Sequence, residues 1–338
     1  MNKKTENENK TKEDIKKSKN TNINKSNTIE NSPNNEEQEL LDIKNDYVFK
    51  RTFGYKGDEE VTKVLLRDIL GMKVNEINLD VNPITEKELM DDKLGIMDIA
   101  SVVNDNVQVD IEMQVVNKNN IEKRIMYYWN AYYQKSISKG DDYGELKRTI
   151  IILIADFEIK GIEQAKKYFT EWEIREKDYS ELILTDVLKI CIIELPKYIK
   201  YKVNNPNLNL WTEFLENPEV INMSEKDIEN EKDESLKTTK KAIKQAKDTL
   251  EQISKDKHEQ ELARLRKKYI MDQNAIQEYG YCRGIEEGVE IGKNDGIQFE
   301  KIEIAKKMLA KKMPIDVIIE ITGLSKEEIE NIKKGIKN

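Results

Sequence analysis

The chain has 338 residues, of which 36% are charged and 38% hydrophobic, and a net charge of −8. That length accommodates one sizeable domain with a smaller one appended, and so much charge confines the core to part of the chain. A single histidine, His258, and two distant cysteines, Cys191 and Cys282, exclude Ser-His-Asp and Cys-His catalysis and any His-based zinc site, which leaves an enzyme only carboxylates and a metal ion. The acidic total argues against indiscriminate adhesion to nucleic acid but permits a local basic surface. There is no apolar run of membrane-spanning length and no signal-peptide pattern, so a cytoplasmic protein without a membrane partner is expected.

In chain order, residues 1–38 are mostly Asn, Lys, Glu, Thr and Ser with no aromatic side chain, a composition that predicts a disordered tail. Tyr47, Phe49 and Phe53 beside Lys50 and Arg51 predict a short helix over Asp46–Phe53, packed on the core. From Asp58, Val61, Val64, Leu65 and Ile69 recur at helical spacing, and Gly71 stands where a helix ends. Val74–Val81 reads as a strand.

The next stretch organises the chain. Leu94–Val103 and Val107–Val116 read as two strands joined by Asn104-Asp105-Asn106, residues that tolerate left-handed backbone and favour a turn. In the second strand odd positions from Val107 to Val115 are apolar and even positions from Gln108 to Gln114 polar, the period of a strand with one dry face. A three-residue loop pairs Val103 with Val107 and therefore sets Asp98 opposite Glu112, about 5 Å apart at Cβ. Gln114 projects from the same face. Two carboxylates so close repel, and a shared proton, a nearby cation or a divalent metal ion must compensate. The alternative is an ordinary amphipathic hairpin whose polar face meets solvent. It suits Gln108 and Asp110, but suits Asp98 less well, beside Ile96, Ala100 and Val102.

Asn120–Lys139 has helical periodicity and places Arg124 and Tyr128 on one face, where Arg124 is either a fixed cation for a phosphate or a structural residue. Tyr127, Tyr128, Trp129, Tyr132 and Tyr133 could stack on bases, although such a helix is more often core. Thr149–Ala155 and Leu188–Leu195 are apolar runs of the kind buried on both faces of a sheet. Strands interleaved with helices point to an α/β sandwich over residues 39–223, closed by a helix at Trp211–Leu215. Residues 224–300 read as a charged helical arm in which Gly280, Gly284, Gly288, Gly292 and Gly296 recur every four residues, which predicts close helix approach within the chain or in a homodimer. Residues 301–338 read as three short helices, with Ser325 and Glu328 forming a capping box. Glu327, Glu328 and Glu330 make the third helix better suited to packing or dimerisation than to a DNA groove.

An Asp on one strand and Glu-x-Gln on the next resembles the PD-(D/E)XK nuclease superfamily, and in particular its Rpn branch of recombination-promoting nucleases and transposases. Asn45–Gly54, Arg124–Trp129, Gly140–Tyr143, Ile193–Lys197 and Ile321–Ser325 resemble the same branch in the same order. The resemblance implies a restriction-endonuclease-like α/β core, a central mixed sheet flanked by helices, followed by a mostly helical C-terminal region. It implies a metal-dependent DNA endonuclease acting in recombination or transposition, with Asp98, Glu112 and the Met113 carbonyl on Mg²⁺ or Mn²⁺. Gln114 stands where the superfamily usually has lysine, as it does in the Rpn branch, and would orient a water. Lys50 and Arg124 are the candidate DNA contacts. Asp46 is a candidate auxiliary acid, otherwise a helix cap or surface carboxylate. The alternative reading is an inactive nuclease-like DNA-binding or self-assembly module.

Overall fold

The computed structural model describes residues 39–54, 59–80, 98–117 and 120–335. Its centre is a six-stranded mixed sheet, β1 (Ile77–Asp80), β2 (Ile99–Val103), β3 (Val107–Gln114), β4 (Arg148–Ala155), β5 (Phe169–Arg175) and β6 (Ile183–Glu194), in the order β1-β2-β3-β4-β6-β5. The first three strands form an antiparallel meander; β4 runs parallel to β3 and β6 parallel to β4, and β5 closes the edge antiparallel to β6. The expected turn forms, with Asn104 and Asp105 at φ 48° and 63°. The Asn104 side chain accepts from the Asn75 N–H at 2.9 Å and donates to the Lys73 carbonyl at 2.9 Å, tying the turn to the chain before β1. Val103 pairs with Val107 and Ile99 with Ile111. The expected first strand begins only at Ile99, and Leu94–Met97 lie outside the described residues. β5 has weak periodicity in sequence and was not among the expected strands.

Two helical layers cover the sheet. On one face the odd residues of β3 join Ile150, Ile152 and Ile154 of β4 and pack against α1 (Asp46–Phe53), α2 (Glu59–Leu70), α4 (Pro206–Glu216) and α6 (Glu234–Lys255). On the other, Ile151, Leu153 and Ala155 of β4 and Leu188, Ile190 and Ile192 of β6 meet Ile121 and Ile125 of α3 (Ile121–Gln134). β4 is buried on both faces, as its apolar run requires.

Part of the expected charged arm is core. After the short α5 (Glu225–Glu229), α6 buries Ala242, Ile243, Ala246, Leu250 and Ile253 along one stripe. That stripe is narrow, and the Lys and Glu residues around it mask it in composition. α7 (Lys257–Ala310) is a single helix of 54 residues. Its end packs with α8 (Ile315–Thr322) and α9 (Lys326–Gly335) around Ala305, Met308, Ile318, Leu324 and Ile329, a second small core. Gly323 takes φ 65° between α8 and α9, where a side chain would be strained. The Ser325–Glu328 box forms as read, with Glu328 accepting from the Ser325 N–H at 2.7 Å.

Candidate active site

The register of β2 and β3 brings Asp98, one residue before β2, beside Glu112 near the end of β3. Each carboxylate receives a backbone N–H from the other strand: the Met113 N–H donates to Asp98 Oδ2 at 2.9 Å and the Asp98 N–H to Glu112 Oε1 at 3.3 Å. This interlock fixes two like charges that would otherwise separate. Burial, the Glu112 charge and the Asp46 charge push the Asp98 carboxyl well above the usual range, opposed by Lys50 and the Met113 N–H. Burial and the Asp110 charge push Glu112 up likewise, against the pull of Arg124.

The polar face of β3 does not meet solvent. Gln108, Asp110 and Glu112 are all buried, Asp110 completely. Gln108 accepts from the Thr149 hydroxyl at 3.0 Å, and the Tyr132 hydroxyl of α3 donates to the Ser101 carbonyl at 2.8 Å, drawing the helix across this side of the meander. No N–H or hydroxyl donor reaches either carboxylate oxygen of Asp110, whose hydrogen-bond partner is the Glu112 carboxyl. Burial and the Asp98 charge raise its pKa well above the usual range, with the Glu112 hydrogen bond, Lys50 and Lys135 opposing. Asp110 is thus a third acid at the site, a residue the hairpin reading had assigned to solvent. Its position two residues before Glu112 on the same face was the available signal.

The other expected site residues fall around this pair. Gln114 donates from Nε2 toward Glu112 Oε2 at 3.4 Å. Arg124 donates to the Tyr128 hydroxyl at 3.0 Å, and its guanidinium lies 5.6 Å from that ring. Burial and the Glu112 charge push the Tyr128 phenol up, so Arg124 and Tyr128 both face the acidic pair. Lys50 is buried in α1, with its charge directed at Asp98 and Asp110 rather than at the surface. Asp46 is not the α1 cap: Asn45 is, accepting from the Tyr47 N–H at 3.0 Å. Asp46 instead accepts a bidentate pair from Arg266 of α7, Nη2 to Oδ2 at 2.5 Å and Nε to Oδ1 at 3.0 Å. Glu259 of α7 joins α1 as well, accepting from Arg51 at 2.7 Å and from the Tyr47 hydroxyl at 2.6 Å. Nothing local in sequence marks Arg266 as a neighbour of Asp46.

Asp46, Met113, Gln114, Arg266 and Tyr269 line a small pocket between the end of β3 and α7. Beside it, a cleft of about 680 Å³ runs between the β3–α3 connection and α7, lined by Asn117, Glu122, Lys160, Asn274 and Tyr281 among others.

The donors at the site are all oxygens, and their mutual repulsion calls for positive charge, so the residues fit a hard divalent cation. Among the described residues no group of three or more His, Cys, Asp or Glu is gathered to hold an ion, so the donor set rests on the Asp98–Glu112 pair.

A mixed sheet whose antiparallel meander presents Asp and Glu-x-Gln, flanked by helices on both faces, defines a nuclease-like α/β protein of restriction-endonuclease architecture. The model of a PD-(D/E)XK nuclease family transposase matches residues 43–280, and the chain belongs to that family. A second, the C-terminal HTH domain of the Rpn/YhgA-like nuclease family, matches residues 298–334. No curated protein and no solved structure matches the chain. Among the described residues no helix is long and apolar enough to cross a membrane.

Proposed function

We propose that this chain is a divalent-cation-dependent DNA endonuclease that hydrolyses phosphodiester bonds in recombination or transposition. The observation that carries the reading is the interlocked, mutually repelling Asp98–Glu112 pair at the mouth of the β2–β3 hairpin. Asp98, Glu112 and the Met113 carbonyl would hold Mg²⁺ or Mn²⁺. Bound there, the cation supplies positive charge to the phosphoryl oxygens and makes water a better nucleophile.

The chain's own groups do the rest. Gln114, held toward Glu112, accepts a hydrogen bond from the attacking water and aligns it with the phosphorus. Water adds to phosphorus, the P–O ester bond breaks, the water's proton passes to solvent and the departing oxygen takes up a proton. Arg124, braced by Tyr128, engages a phosphate oxygen. Lys50 offsets part of the buried negative charge, a role that fits its burial better than contact with DNA. Asp46, held by Arg266, adds its charge beside Asp98.

A second reading, a nuclease-like module that binds DNA or assembles without cutting, is favoured by Gln114, which carries no charge where the superfamily usually has lysine.

Supercoiled plasmid with Mg²⁺ or Mn²⁺ tests the proposal. Wild type is expected to produce nicked or linear DNA, while Asp98→Ala, Glu112→Ala and an EDTA control are not. Folded wild type that cuts under neither metal, with DNA affinity unchanged in Asp98→Ala, would transfer the assignment to the binding module.

A further inference from the structure

The last turns of α7 and the corner into α8 concentrate positive charge. Lys306, Lys307, Lys311 and Lys312 are all exposed, while Ala305 and Met308 between them are buried in the small C-terminal core. Glu303 pairs with Lys306 at 2.9 Å and lies near Lys307 as well. Lys311 and Lys312 have no ion pair among the described residues.

A cation in the last turn of a helix is ordinarily explained by the helix dipole, and Lys307 fits that account. Lys312 does not, because it lies past the helix end with φ 58°. The other non-glycine residues with positive φ among the described residues are Asn104 and Asp105, whose short polar side chains tolerate it. At the next helix end the same backbone is taken by Gly323. Lysine is strained in this conformation, so glycine would be the firmer residue at 312 if only the turn mattered. The lysine is kept for its charge.

Ammonium groups gathered over two helical turns call for a partner with closely spaced negative charges. A DNA duplex presents one phosphate charge about every 1.7 Å along its axis. The helix that a helix-turn-helix would place in a groove, α9, instead exposes Glu327, Glu328 and Glu330. Contact with the backbone therefore falls to the lysine corner.

The corner is also held at a set distance. The start of α7 is bonded to α1, where Glu259 takes Arg51 and Tyr47 and Arg266 takes Asp46, and the helix then runs unbroken to Ala310. At about 1.5 Å per residue, Lys307 lies roughly 60 Å along the helix from Arg266, the length of about 18 base pairs.

We propose that Lys306, Lys307, Lys311 and Lys312 grip the phosphate backbone of duplex DNA, as far as about 18 base pairs from the bond that is cut. The proposal rests on the reading of DNA as the substrate and adds a second, remote contact to it.

The test is fluorescence anisotropy of a labelled duplex of about 40 base pairs with the full chain, in EDTA, over a salt series. The patch variant is Lys307→Gln/Lys311→Gln/Lys312→Gly, and the control, with the same change in net charge, is Lys177→Gln/Lys200→Gln/Lys226→Gln at exposed lysines elsewhere. The patch variant is expected to bind at least about tenfold more weakly than wild type, with a log–log salt slope shallower by about 2 to 3, since each lost phosphate contact removes about 0.9. The control is expected to stay within about threefold of wild type. Helicity should not fall in the patch variant, because glycine suits φ 58° and the other two side chains are exposed. An unchanged patch variant, an equal loss in both variants, or a wild type that binds vesicles of phosphatidylglycerol and phosphatidylcholine but not the duplex overturns the proposal. Because EDTA removes cleavage from the measurement, a protein that grips DNA here and never nicks plasmid fails only the nuclease reading, and one that nicks plasmid with an indifferent patch fails only this proposal.

Discussion

Buried acids occur in two settings in this protein, and the contrast separates structure from chemistry. Asp68, on the layer of α1, α2, α4 and α6, accepts from Arg67 at 2.6 Å, Trp211 Nε1 at 2.9 Å, Thr239 Oγ1 at 2.7 Å and Asn207 Nδ2 at 3.2 Å. Glu194, at the end of β6, pairs with Lys197 at 2.6 Å and accepts from the Ile159 N–H at 2.7 Å, pinning the loop after β4. Asp110 has another acid, Glu112, as its partner, and Asp98 and Glu112 face each other with one backbone N–H apiece. Asp68 and Glu194 are each given several donors or a cation, whereas Asp98, Asp110 and Glu112 are left largely to one another, which is where a cation or a substrate is expected to complete them.

The contrast can be broken by substitution. On cleavage, Asp98→Ala or Glu112→Ala is expected to lower the plasmid nicking rate at least about a hundredfold, roughly 2.7 kcal/mol of activation free energy. On stability the order reverses. Glu194→Ala or Lys197→Ala strands a fully buried charge and is expected to cost about 3–5 kcal/mol in urea unfolding. Asp110→Asn has the opposite sign, because the amide donates to Glu112 without first binding a proton, and metal-free stability is expected to rise on the order of 1 kcal/mol.

The smallest effect sharpens the comparison through pH. The folded-state pKa values of Asp98, Asp110 and Glu112 are raised above unfolded values near about 4, so the folded protein binds protons more tightly than the unfolded chain. Their stabilising contribution is present at low pH and is lost as pH climbs through the raised values. Metal-free melting temperature is therefore expected to fall as pH rises above the unfolded values near about 4, with a shallower slope in Asp110→Asn.

Much of this was legible in the sequence because it is local. The strict alternation of β3, the Asn-Asp-Asn turn and the resulting register carry Asp98 to Glu112, and the structure keeps that register. Gln114 follows from the period of a strand. What the sequence hid is long-range. Lys50 reads as a surface cation until α1 is seen against the site, Asp110 reads as solvated until α3 is seen across the meander, and Arg266 lies 220 residues from its partner Asp46. α6 was hidden differently, by a thin apolar stripe in a Lys- and Glu-rich segment. The glycine row of α7 was plain in sequence, but only the structure shows that no intramolecular neighbour fills it among the described residues.

The most direct test of the claim that unsatisfied acids mark a cation site is titration calorimetry with Mn²⁺ on wild type, Asp98→Ala, Glu112→Ala and Asp68→Asn. A single site with proton release is expected in wild type and in folded Asp68→Asn, absent from Asp98→Ala and Glu112→Ala. Equal binding by all four proteins, or none by wild type, would contradict it.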